Sequence, residues 1–157
     1  MTAQSSLESS GASIRRLFIL ARGWLELLPM SIIQLAMRIA VGAVFFNSGQ
    51  LKIRSWGFAI KLFEDEYKVP LLDPTWAARL AAFNEMVFPL FLFVGLATRL
   101  ATLPLLAMVI IIQTFVYPQA WTEHLLWASI LLLLLTRGPG MLSPDHLIEQ
   151  HISKGSR

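Results

Sequence analysis

Apolar residues in this chain gather into four long runs, about 31–50, 77–96, 101–117 and 120–136, each bounded by Pro, Gly or charged residues. A helix of about 20 residues rises about 30 Å, the thickness of a bilayer's hydrocarbon core. The pattern predicts an all-α fold, an integral membrane four-helix bundle over residues 31–147. Ile14, Leu17, Phe18, Ala21, Leu25 and Leu28 recur at helical spacing opposite Arg15, Arg22 and Glu26. That predicts an interfacial amphipathic helix over 14–30, with Trp24 as a head-group anchor. A signal peptide is the rival reading, but Arg22 and Glu26 interrupt the apolar core that it needs. Residues 1–13 are Ser-rich and predicted disordered. Ser143 and Pro144 offer an N-cap and a first-turn residue for a short tail helix over 145–152, and residues 148–157 read as a polar tail.

The connections set the order of packing. Only residues 97–100 separate the second and third runs, so these two predict an antiparallel hairpin with Arg99 at its tip and Pro104 in the first turn of the third span. Pro118 and Gln119 make another tight turn. The long connection from Lys52 to Trp76 predicts a short amphipathic helix, then a loop broken by Pro70, Asp73 and Pro74, with Glu64, Asp65 and Glu66 as a solvated face. Pro89 should bend the second span one turn after Glu85 and free a backbone carbonyl there.

Composition sharpens the picture. The 157 residues are 55% hydrophobic and 15% charged, with a mean hydropathy of +0.61, which excludes an ordinary soluble domain. The net charge of +3 comes from Lys and Arg mostly outside the apolar runs, so it reads as a topology signal and a lipid-surface contact, with no nucleic-acid footprint. Arg15, Arg16, Arg22, Arg99, Arg137, Lys154 and Arg157 fall on the side of the termini, against Lys52, Arg54, Lys61, Lys68 and Arg79 on the other. The bias favours cytoplasmic termini, with the reverse orientation as the alternative. The chain has no cysteine, which excludes disulfides, iron–sulfur ligation and thiol chemistry of its own. Of three histidines only His124 lies in a span, and His146 and His151 are about 140° apart on a helix, so no metal site and no intrinsic cofactor is predicted.

Candidate chemistry centres on Glu85. A carboxylate at that depth costs about 2.5–3.5 kcal/mol on insertion scales and must face a partner or a wet cavity. Arg38, Gly42, Gly49 and Lys52 share one face of the first span, with Asn47 on the other side, and the two glycines let another helix approach closely. Asn47, Gln50, Glu85, Gln113 and His124 all fall toward the same half of the bundle. The plainer reading is mutual satisfaction: Glu85 neutralises Arg38 or Lys52, Lys52 snorkels, and the amides act as interhelical glue. The functional reading is a polar pocket. Glu85 and Arg38 are its candidate catalytic pair, as proton exchanger and electrostatic partner. His124, Gln113, Lys52 and Asn47 are the candidate cofactor-binding residues.

Arg38, Gly42, Gly49, Lys52, Glu85, the tip Gly95-Leu96-Ala97-Thr98-Arg99 and the tail Arg137-Gly138-Pro139-Gly140-Met141-Leu142-Ser143 with Asp145 resemble the DoxX family of small four-helix membrane proteins. The resemblance spans about 32–147, with Pro144 in place of the usual aliphatic residue. The family is related to subunits of a thiosulfate:quinone oxidoreductase. The resemblance therefore implies a bacterial-type inner-membrane component of a quinone-linked oxidoreductase or redox-stress system, working with a partner protein or as a homo-oligomer. If it is catalytic, it is an oxidoreductase subunit using a quinone, and the lack of cysteine leaves sulfur oxidation to a partner. The alternative is a non-catalytic membrane anchor or stress-response accessory that docks partner proteins. A third reading is a proton or solute conduit, for which one short bundle would need to oligomerise.

Overall fold

A computed structural model describes residues 15–17, 19–20, 22–23 and 27–155. Every regular element among the described residues is helical. In chain order these are α1 (Met30–Arg54), α2 (Trp56–Leu62), a π-helical turn (Phe63–Tyr67), α3 (Pro74–Val94) and α4 (Thr98–Ile111). A second π-helical turn (Ile112–Val116) continues α4, a 3₁₀ turn (Pro118–Ala120) follows, and α5 (Trp121–Arg137) and α6 (Pro144–Gly155) complete the order. Of the expected N-terminal interfacial helix, residues 15–17, 19–20 and 22–23 are helical. Ile14, Phe18, Ala21, Trp24, Leu25 and Glu26, and the expected disorder of 1–13, lie outside the described residues.

Among the described residues, three helices are long and apolar enough to cross a membrane: Met30–Arg54, Pro74–Val94 and Thr98–Val116. The expectation was four. α5 has 17 residues and opens on the polar Thr122-Glu123-His124, so it offers only about 25 Å of helix with a shortened apolar stretch. It nonetheless packs on α4 and closes back against α1, while α3 lies between α1 and α4. Val41, Phe45, Ala78, Leu92, Leu105 and Leu131 fill the shared core. Large apolar side chains such as Ile39, Leu90, Leu103, Ile110 and Leu132 face outward, as the surface of a membrane-embedded chain requires.

The most extensive helix contact is α1 on α3, and glycine sets its closeness. A Cβ on Gly49 would stand 2.9 Å from the Glu85 Cβ and 3.1 Å from its backbone carbon, and one on Gly42 would stand 2.7 Å from the Phe93 ring. The pairs 49/85 and 42/93 fix an antiparallel register.

At the opposite end from Lys52, the chain after α5 folds back over the helix ends. Gln34 donates to the Gly138 carbonyl at 3.0 Å, Met141 N donates to Ser31 Oγ at 3.1 Å, and Arg38 Nη2 donates to the Leu142 carbonyl at 2.7 Å. Asp145 then caps α4 from outside it, accepting Ala97 N–H at 2.7 Å and Thr98 N–H at 2.8 Å. This cap lets α4 begin at Thr98, three residues before the expected start, so Pro104 lies in the helix interior and not in its first turn. Gly95, at φ 78°, turns the chain out of α3, and the position a Cβ would take there is occupied by the Arg38 guanidinium. Ser143 Oγ accepts the His146 N–H at 3.3 Å, the expected N-cap of the tail helix, which begins at Pro144 and runs on to Gly155. α3 also starts earlier than expected, because Asp73 accepts from Thr75 N and Trp76 N with Pro74 at the first helical position.

Two outcomes follow from this packing. Asp145→Ala should cost about 1–2 kcal/mol of stability by removing a charged cap from two backbone donors, and Asp145→Asn should recover part of it. Gly49→Ala should cost about 1–3 kcal/mol, because the added methyl meets the Glu85 Cβ and backbone carbon, which cannot move aside as the Met86 sulfur can. Denaturant or thermal unfolding of the detergent-solubilised protein measures both.

Candidate functional site

Close approach of α1 to α3 brings Lys52, one turn beyond Gly49, onto Glu85. The Lys52 ammonium stands 2.8 Å from both carboxylate oxygens, donating a hydrogen bond to Oε1 and making an ionic contact with Oε2. The side chains are 13% and 4% exposed, so the pair is withdrawn from solvent. Pro89, one turn on, has no N–H to give, and the Glu85 backbone carbonyl loses its intrahelical donor. A buried ion pair and a proline break in the hydrogen-bond ladder thus meet at one point of α3.

This point borders a cavity of about 470 Å³. Phe45, Phe63, Met108 and Trp127 supply apolar wall, with Lys52, Asn84, Glu85 and His124 as polar inserts. Gln113 Nε2 donates to the Pro118 carbonyl at 2.9 Å, which leaves its Oε1 to accept from His124 Nδ1 at 2.7 Å. A neutral His124 therefore carries its proton on Nδ1 and keeps Nε2 as an acceptor. The His124 and Trp127 rings lie 5.3 Å apart, and Trp127 meets Phe45 edge-on at 5.9 Å, so the imidazole is held on two sides.

Both π-helical turns border the same cavity, through Phe63 and Tyr67 on one and Ile112 and Val116 on the other. Such turns recur at functional sites, because the widened turn re-aims the side chains that follow. Here Tyr67 and Tyr117 meet edge-to-face at 5.6 Å, and Tyr117 Oη donates to Glu66 at 2.7 Å. Hydrogen bonding with Tyr67 and with the Glu66 carboxylate holds the Tyr117 hydroxyl well above the usual tyrosine range. Burial pushes Tyr67 up as well, and the nearby charges of Glu66 and Glu85 add to it.

The expected site residues divide. Glu85, Lys52 and His124 line the cavity, and Gln113 holds His124 in place. Arg38 does not join them: it lies 14 residues before Lys52 on α1, about 21 Å away along the helix, where its guanidinium binds the Leu142 carbonyl. The partner of Glu85 is Lys52, and Arg38 belongs to the tail junction. Its Nε and Nη1 have no hydrogen-bond partner among the described residues, and Asp145 supplies an opposing charge. Asn47 is exposed on the outer face of α1, away from the cavity. Tyr67, Tyr117 and Trp127 were missed as site residues; the one available signal was that the chain's two tyrosines flank the same end of the bundle. Among the described residues, no group of three His, Cys, Asp or Glu side chains could hold a metal ion.

A family model, DoxX, matches residues 33–118, more than half of the chain. The chain belongs to the DoxX family. No curated protein and no solved structure matches it. The DoxX match takes in Lys52, Glu85, the hairpin tip and Tyr117, and stops before His124 and the Gly138–Asp145 tail, short of the 32–147 range of the resemblance. Membership makes this a membrane protein of an oxidoreductase- or stress-associated kind.

In this DoxX protein the ion pair and the phenols are separately testable. Lys52→Met or Glu85→Leu alone should cost about 3–5 kcal/mol by stranding a buried charge, while the double variant should regain most of it. Phenolate absorbance reports only Tyr67 and Tyr117 and should rise well above pH 10, the ordinary tyrosine value. The folded state holds these protons longer than the unfolded chain does. Their contribution to stability is therefore complete below about pH 10 and lost as pH rises beyond it. Glu66→Gln should move the absorbance midpoint down.

Proposed function

We propose that this chain is a multi-pass inner-membrane component of a quinone-linked oxidoreductase or redox-stress system, with α5 as a fourth span and both termini cytoplasmic. The observation that carries the reading is the Lys52–Glu85 pair set into a largely apolar cavity of about 470 Å³. That volume lies within the range of small-molecule sites, and such sites combine apolar walls with a few convergent polar groups. A flat, carbonyl-bearing ring suits walls of Phe45, Phe63 and Trp127 with Lys52, the carboxylates of Glu85 and Glu123 and the His124 imidazole as its polar groups.

A quinone bound there would supply a two-electron, two-proton couple. The chain's own residues bind and orient the ring, exclude water and manage a proton. Lys52 offers hydrogen-bond donors for a carbonyl. Glu85 holds or releases one of the two protons of that couple, and His124, fixed by Gln113, presents an acceptor at Nε2 for a quinol hydroxyl. Arg38 has no part in this; its role is to seat the tail. With no cysteine in the chain, any thiol or sulfur chemistry linked to the quinone falls to a partner protein.

The test is thermal unfolding of the purified protein with and without a short-chain quinone. A quinone at about 100 times its Kd should stabilise the wild type by about 2.7 kcal/mol. His124→Leu, which leaves the ion pair untouched, should lose most of the corresponding shift given by the reduced quinol, whose hydroxyl can donate to Nε2. If no quinone shifts the wild type, the redox site is wrong, and the chain is better read as a membrane anchor whose polar groups hold its helices together.

A further inference from the structure

The segment from the first π-helical turn up to α3, residues 63–73, covers the cavity and turns two of its apolar residues, Leu71 and Leu72, outward. Leu71 is 104% exposed and Leu72 46%. Leu71 also takes φ 69°, and Lys68 φ 40°, a left-handed conformation unfavourable for residues other than glycine. A strained backbone that presents a leucine fully outward gains nothing from water. It gains if the outward side is hydrocarbon.

The position agrees. α3, a helix fit to cross the membrane, begins at Pro74, two residues after Leu72. Trp76, 58% exposed, lies in its first turn with the Arg79 guanidinium 5.0 Å over its ring, an arrangement suited to head-group depth. Leu80, 50% exposed, lies about 6 Å further into the span than Trp76, and both Leu72 and Leu80 also line the cavity. A residue that is outward-facing and cavity-lining marks a mouth, and this mouth falls at bilayer depth. Phe63, Tyr67 and Val69 form the underside of the segment, and the Tyr117–Glu66 hydrogen bond ties it to the end of α4.

We propose that residues 63–73 form a membrane-dipping flap. Leu71 and Leu72 insert at the head-group–acyl boundary, and the gap between Leu72 and Leu80 is the entrance by which an amphiphile passes from the bilayer into the Lys52–Glu85 cavity. The amphiphile carries a compact polar head and a hydrocarbon tail that stays in lipid. Its identification as a quinone rests on the function proposed above; the insertion of the flap does not.

The absence of cysteine makes the test direct. Leu71→Cys and, as a control on the same segment, Asp65→Cys are each labelled with a nitroxide in vesicles of phosphatidylethanolamine and phosphatidylglycerol. Insertion predicts that the label at 71 collides more often with oxygen than with a water-soluble nickel chelate, and that the label at 65 does the reverse. Nickel-dominated collisions at 71 overturn the flap. So does a label at 71 shielded from both reagents, which points to a second protein copy. The entrance is tested by stopped-flow tryptophan quenching with a long-tailed quinone delivered in vesicles. Leu71→Glu/Leu72→Glu should lose fast loading of that quinone while loading normally with a short-chain quinone added from water; equal loading of the two overturns the bilayer entrance. An inserted flap in a protein that no quinone stabilises supports the flap and removes the redox reading.

Discussion

Where no water reaches, every buried charge and every free helix end must find its partner within the chain, and this one constraint organises both ends of the molecule. At one end Glu85 and Lys52 neutralise each other across the α1–α3 contact. At the other, Arg38 and Gln34 reach out of α1 to carbonyls of the returning tail, while Asp145 reaches back to the first N–H groups of α4. The two arrangements differ in what surrounds them. The Arg38 junction is packed shut, with Gly95 pressed on its guanidinium; the Lys52–Glu85 pair borders open space. A closed polar junction holds a fold together, whereas an open one has capacity left for something else.

Helix identity and the burial of the Glu85 side chain were legible because apolar run length and isolated charge are local signals. The glycine contact was legible too, since Gly42 and Gly49 fall two turns apart on one face. The partner of Glu85 was not, for a geometrical reason. Arg38 and Lys52 stand 14 residues apart, four turns, and so share the same face; periodicity cannot choose between them. Only the antiparallel register does, and it is set by which glycine meets which residue of α3.

Other features escaped because their causes are distant or subtle. The early start of α4 depends on a carboxylate 47 residues further on, which no window along the chain would connect to it. The π-helical turns leave no compositional mark, yet they aim Tyr67 and Tyr117 at one another. A tyrosine at a helix end reads naturally as an interfacial anchor. Its second neighbour shows only once the long connection has been folded over it.

The cap on α4 also has a history in time. Ala97 is made 48 residues before Asp145, the group that satisfies its N–H. A ribosome therefore delivers the α3–α4 hairpin to the membrane with its tip still relying on solvent, and the tip becomes self-sufficient only when the last helix has begun to emerge. Until then Arg38 has no Leu142 carbonyl to bind, so α1 also waits. The turn over 138–145 works as a latch drawn after the helices before it are made, and a nascent protein stalled ahead of it would expose polar tips to a membrane quality-control system.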